Sequence, residues 1–213
     1  MKEILRLTFS VTLICAIAGA CLALVSHITA ARIEANQNTQ RTAKMLMVLP
    51  PTSVITEADG KSADGDVDFF VAKDIMGTPV AYCAIGRSND GFGGMVTVMA
   101  GLTIDGRITS LLVSEHNETP GIGSRVCNRS VKESLWEKLS GKSQQGTGLA
   151  PNAYLDSYSG RKLSPEGFQF ASDNSGSHVV AVSGATFSST AVLHAVNKIC
   201  TAWQERPAAE SLQ

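Results

Sequence analysis

Apolar residues fall into three arrangements along the chain, and each predicts a different element. From Leu7 to Ala31 there is no Asp, Glu, Lys or Arg, and most positions are apolar. Crossing a hydrocarbon core takes about 20 residues, so this run is long enough to span one even with Thr8, Ser10, Thr12 and His27 included. Arg32 to Leu49 is rich in helix formers and stops at Pro50-Pro51, which predicts a helical stalk with Ala43, Leu46, Met47 and Leu49 turned toward a domain. Thr56 to Asp66, rich in Gly, Asp and Lys, reads as a solvated loop. From Val67 the pattern becomes strand-like. Phe69 to Ala72 and Pro79 to Ile85 are short β-prone runs, and Met95 to Ile104 and Arg107 to Ser114 flank Asp105-Gly106, a strong hairpin signal. After Gly123 the period shifts, and Val131, Leu135, Trp136 and Leu139 fit one helical face until Gly141 to Gly148 breaks it. Val179 to Val182 reads as a short strand. A last helix follows from about Ser188 to Trp203, with Val192, Ala195, Val196, Ile199 and Trp203 at core spacing. Strands followed by helices predict an α+β domain built on a mainly antiparallel twisted sheet.

Length and charge narrow the class. At 213 residues with net charge −1, the chain accommodates one membrane segment and one ordinary domain. No basic stripe is present, so nucleic acid is not an expected partner. The apolar run has a competing reading as a cleavable signal peptide, since Lys2 and Arg6 precede it and Thr29-Ala30-Ala31 offers small residues for cleavage. Signal cores run roughly 7–15 residues, and this run is longer, which favours a retained anchor. A lipoprotein at Cys21 is a third option, although Gly19-Ala20-Cys21 lacks the usual upstream Leu. Flanking charges, Lys2 and Arg6 against Arg32, Arg41 and Lys44, leave the orientation nearly undecided. Cys15 and Cys21 lie in the apolar run. Cys83, Cys127 and Cys200 offer one disulfide in an oxidising compartment, with no pair preferred. Without Cys-x-x-Cys or Cys-x-x-Cys-His, an iron–sulfur cluster or c-type haem held by this chain alone is not expected. His116 and His178 show no metal-ligand spacing, so no metal is expected either. His116 reads as a supporting or surface residue.

Two segments carry the candidate chemistry. Val182-Ser183-Gly184-Ala185-Thr186-Phe187-Ser188-Ser189 packs small residues and hydroxyls directly before a helix, where backbone N–H groups and the helix dipole favour an anion. On its own this is also what a capped helix start looks like. Upstream, Glu118-Thr119-Pro120-Gly121-Ile122-Gly123 joins a fixed φ at Pro120 to two glycines, which a tight turn explains without any ligand. Gly91-Phe92-Gly93-Gly94 reads as a flexible loop before a strand.

Taken together, the apolar N-terminal run, Gly91 to Gly94, Glu118 to Gly123 and Ser183 to Ser189 resemble the G subunit of the Rnf electron-transport complex. They also resemble the related C subunit of the sodium-pumping NADH:quinone reductase. The resemblance runs nearly end to end, and the length favours the shorter Rnf subunit. It implies FMN held as a phosphoester on Thr186, with Ser183, Gly184, Ala185 and Ser188 around the phosphate. It further implies that Glu118, Thr119, Pro120, Gly121 and Gly123 lie against the flavin, with Phe92 a neighbour. A dedicated flavin transferase would install the cofactor. One departure is Val180, which stands where the family's transferase motif usually has an acidic residue. The implied organisation is an anchor over 1–31, a stalk and loop over 32–66, an FMN-binding domain over 67–206 and a polar tail over 207–213.

No Gly-x-Gly-x-x-Gly fingerprint is present, and no nucleophile–His–acid arrangement is legible, so no catalytic residue is expected. The implied role is a redox subunit of a translocase, an electron relay within an ion-translocating ferredoxin/NAD oxidoreductase. Other membrane and peripheral subunits would oxidise the primary donor and build the ion path. The resemblance places the N-terminus in the cytoplasm and the flavin domain on the periplasmic or extracellular side of the cytoplasmic membrane. The alternatives are the quinone-reductase subunit and a non-redox anchored binding or scaffold module.

Overall fold

The computed structural model describes residues 2–51, 54–61, 65–129, 149–172 and 176–206. Its first element, α1, is a single 47-residue helix, Lys2–Val48. It is long and apolar enough to cross a membrane. The chain divides into two compact units, residues 1–42 and 43–213.

The second unit is built on five strands in sequential order, all paired antiparallel: β1 (Val54–Lys61), β2 (Val67–Lys73), β3 (Pro79–Gly91), β4 (Gly94–Thr103) and β5 (Ile108–Glu115). Alternation along each strand sends side chains to opposite faces, and both faces of the central strands are covered. On one face Phe69, Tyr82, Ala84, Val96, Val98, Ala100 and Leu102 meet Val192, Ala195, Val196 and Ile199 of the last helix, α4 (Thr186–Glu205). On the other, Ala72, Cys83, Ile85 and Met99 meet Met45, Val48 and Leu49. This double covering explains why β3 and β4 read as near-continuous apolar runs. Among the described residues between β5 and α4 are two single-turn helices, α2 (Ser124–Cys127) and α3 (Ala153–Asp156), and a two-stranded parallel pair, β6 (Gln169–Phe170) with β7 (His178–Val179). Asp105-Gly106 makes the β4–β5 turn as predicted, and α4 extends the predicted helix by two residues at each end.

Three expectations are corrected and one is sharpened. Residues 56–61, read as loop, belong to β1. Pairing with β2 supplies their backbone hydrogen bonds, and two irregularities in the register accommodate a strand without apolar alternation. The loop expected at Gly91 to Gly94 does precede a strand, β4, and is the tight β3–β4 turn, with Gly91 opposite Gly94. Of the four stalk residues expected to face the domain, only Leu49 is buried. Ala43, Leu46 and Met47 are exposed, and Met45 and Val48 are buried instead. The register there is set by the last helical turn, where the Val48 carbonyl accepts from the Ser110 hydroxyl at 3.1 Å and the Lys44 ammonium donates to the Ser114 carbonyl at 2.6 Å. Finally, the strand expected over Val179–Val182 covers only His178–Val179. The helical pattern through Val131, Leu135, Trp136 and Leu139, the Gly141–Gly148 breaker and the 207–213 tail lie outside the described residues.

Candidate functional site

Three segments converge beside the first turn of α4. The β3–β4 turn contributes Phe92, the segment after β5 contributes Glu118, Thr119, Ile122 and Gly123, and the helix start contributes Gly184 to Ser188. Together they line a cleft of about 210 Å3. Glu118 ties the three together. It is 6% exposed. Its Oε1 accepts from the Gly93 N–H at 3.3 Å and its Oε2 from the Ser188 hydroxyl at 2.6 Å. Its own N–H donates to His116 Nδ1 at 3.3 Å, and His116 Nε2 lies 2.8 Å from Asn128 Oδ1. With Nδ1 accepting, Nε2 is the protonated nitrogen (a tautomer assigned from the bonds) and donates to Asn128. His116 is therefore a support for the Glu118 backbone, as expected, and His178 takes no part in lining the cleft.

The helix start is built for close approach. Gly184 has φ +80°, a left-handed conformation that other residues adopt only with strain, and it turns the chain into α4. Ala185 is the N-cap, and no side chain caps the helix. The serines do other work. Ser188 donates to Glu118, and Ser189 accepts the Val182 N–H at 3.1 Å, closing the turn from inside. Tyr154 adds a brace, its hydroxyl donating to the Ser189 carbonyl at 2.8 Å. The donors of the first turn of a 20-residue helix are left to an external partner, with the helix dipole behind them. Thr186, the first helical residue, is exposed at that point.

The predicted residues do not all meet. Glu118, Thr119, Gly123, Gly184, Ala185, Thr186 and Ser188 share the cleft. Ser183 faces away, into a separate cleft of about 630 Å3 with Ser124, Arg125 and Asn152. Pro120 and Gly121 are exposed and shape the turn without lining the cleft. Ile122 and Phe187 were missed as lining residues. Phe187 is 69% exposed and stacks obliquely on Phe92, 73% exposed, with ring centroids 6.5 Å apart. One ring sits in the β3–β4 turn and the other in the first turn of α4, and large apolar side chains exposed side by side mark a contact surface. The sequence signal was their adjacency to glycine and to Thr186, but apolar residues at loop tips carry no period.

All five cysteines are described, and none forms a disulfide. Cys83 belongs to one core and Cys127 and Cys200 to the other. Burial, with the Glu118 charge as a smaller contribution, pushes the Cys127 thiol up to about 12, and burial pushes Cys200 up to about 11. Both are inert thiols packed as small hydrophobes.

Residues 91–201 match the model of the FMN-binding domain, a span that contains every residue lining the cleft. Among curated proteins the chain is 32% identical over 130 residues to the G subunit of the ion-translocating oxidoreductase complex of Methanosarcina acetivorans, covering 59% of this chain and 69% of that one. It is 26% identical over 211 residues to the protein of the same name from Pseudomonas aeruginosa (92% and 87%). It is 25% identical over 215 residues to the G subunit of the Na(+)-translocating ferredoxin:NAD(+) oxidoreductase complex of Acetobacterium woodii (95% and 93%). A crystal structure of Shewanella oneidensis NqrC superposes with a TM-score of 0.45 at 20% identity, covering 76% of this chain and 71% of that one.

Proposed function

Because the chain belongs to the FMN-binding domain family and to the line of ion-translocating oxidoreductase G subunits, we propose that it is a membrane-anchored electron relay with FMN esterified to Thr186. The observation that carries this reading is an exposed threonine at the uncapped start of a 20-residue helix, beside a cleft rimmed by two aromatic rings. A phosphoryl group on the Thr186 hydroxyl stays anionic. It would receive the first-turn N–H groups and the favourable end of the helix dipole. Gly184 and Ala185 put no bulk in its way. Phe92, Ile122 and Phe187 offer the apolar surface a flavin ring requires, and the exposed Thr119 hydroxyl is available to its polar edge or chain.

When bound, FMN supplies the electron-accepting and electron-donating chemistry; the protein supplies orientation and electrostatics. Glu118 accepts from Gly93 and Ser188 and so clasps the loops around the cofactor, while the remaining lone pairs of its two oxygens are free to accept from the cofactor itself. The other subunits of an Rnf-type complex are the partners that bring electrons and take them away, and a flavin transferase matures the chain.

Purification from native membranes tests the whole reading. The complex should co-purify, and intact mass spectrometry of this subunit should show one FMN phosphoryl adduct on the peptide containing Thr186. A chain isolated without partner subunits and without the adduct would leave only an anchored scaffold.

We place the second unit on the outer side of the cytoplasmic membrane. Replacing Cys83, Cys127 and Cys200 by Ser and putting a single Cys at Met76, 90% exposed in the β2–β3 turn, gives a reporter for this. A membrane-impermeant thiol label is expected to modify it in intact spheroplasts. Modification only after lysis would put the domain in the cytoplasm.

A further inference from the structure

Glu118 is the single charged residue lining the cleft, and it is nearly removed from water. Both of its oxygens accept hydrogen bonds, as those of a carboxylate do, and both donors are neutral: a backbone N–H and a serine hydroxyl. Among the described residues no Lys or Arg forms an ion pair with it; Arg87, Arg107, Arg129 and Lys198 pair with aspartates elsewhere, and Arg125 opens onto the other cleft. His116 is engaged through the Glu118 backbone, not its carboxylate. A negative charge left without a counter-cation in an apolar, poorly solvated wall acts on its neighbours far more strongly than one at the surface. Its field opposes any further negative charge arriving in the same cleft.

Resting on the flavin reading above, we propose that Glu118 sets the redox potential of the cofactor, holding it low by electrostatic repulsion of the incoming electron. A relay with a lowered potential passes its electron on more readily than it keeps it.

Charge and clasp are separable by two substitutions. Glu118→Gln removes the charge with almost unchanged shape, and Ser188 retains a partner by accepting from the new amide. Ser188→Ala removes the clasp and leaves the charge. Full-length protein, matured with a flavin transferase and purified in detergent, is titrated spectroelectrochemically beside a measurement of flavin content. Glu118→Gln is expected to favour the reduced form about tenfold, a rise of about 59 mV for a one-electron couple. Ser188→Ala is expected to leave the potential unchanged or lower it, since the carboxylate loses a donor. Equal potentials in wild type and Glu118→Gln, or shifts of the same sign and size in both variants, overturn the proposal and leave the flavin reading standing. Full flavin in Ser188→Ala with none in Glu118→Gln also overturns it, making the carboxylate a binding requirement. Wild type without flavin overturns both readings.

Discussion

Thr186→Ala is expected to abolish covalent flavin while leaving the domain folded. The hydroxyl is the proposed ester oxygen, and no serine of the same segment replaces it. Ser188 and Ser189 are buried and committed to Glu118 and Val182, and Ser183 faces the second cleft. Alanine is a good helix former at the first position of α4, and the site is exposed, so stability should change by no more than about 0.5 kcal/mol. Co-expressed with a competent transferase, wild type should give a fluorescent band on a denaturing gel and Thr186→Ala a dark one. Thr186→Ser keeps the hydroxyl and should retain a band. A fluorescent Thr186→Ala band would move the attachment elsewhere. A dark wild-type band that releases free FMN on denaturation would falsify covalent attachment.

Gly93→Ala should be the most damaging single methyl in the site. A Cβ at this position would overlap the carbonyl oxygen of Asn117 and press on the Glu118 nitrogen. Both obstacles are backbone, so no side-chain rotation relieves them. The turn must move away, which takes the Gly93 N–H from Glu118 and opens the contact between the β3–β4 turn and the cleft wall. Overpacking of this kind costs about 2–3 kcal/mol. For a chain of this size the melting temperature falls roughly 2–4 °C per kcal/mol, and flavin occupancy should fall with it. Phe92→Ala, one residue away at an exposed tip, removes atoms without a clash and should leave the melting temperature within about 1–2 °C. Equal melting curves for Gly93→Ala and wild type would mean that the turn is not held against Asn117.

Elements whose stability comes from their own side chains are legible in the sequence. Burial of a whole helical face or strand face writes a period into the chain. Val192, Ala195, Val196 and Ile199 mark α4 in this way, and β3 and β4, covered on both sides, appear as apolar runs. A residue type demanded by a turn is equally visible, as at Asp105-Gly106. Elements held by a neighbour were not legible. β1 is an edge strand whose hydrogen bonds come from β2, so a polar composition at Thr56, Glu57, Asp59 and Lys61 neither helps nor forbids it. The polar stretch Arg87 to Asp90 prolongs β3 because β4 pairs with it, not because its side chains favour a strand. The stalk was placed on the correct helix with the wrong side inward, since a few apolar residues crowded into one turn satisfy more than one facing.

The sequence by itself determined the membrane-spanning length of α1, the α+β class, the last helix, and the two loops that matter. Composition and order alone suffice for these, because each depends on residues close together in the chain. Only the tertiary structure decided what each loop residue does. It brought Glu118 to Ser188, 70 positions away, turned Ser183 out of the site, and set Phe92 against Phe187. Such contacts depend on the mutual placement of elements packed on one sheet, and no local pattern encodes the distance between them. The placement of Glu118 is the clearest instance: nothing local to its loop shows that the carboxylate is buried and accepts from Gly93 and Ser188.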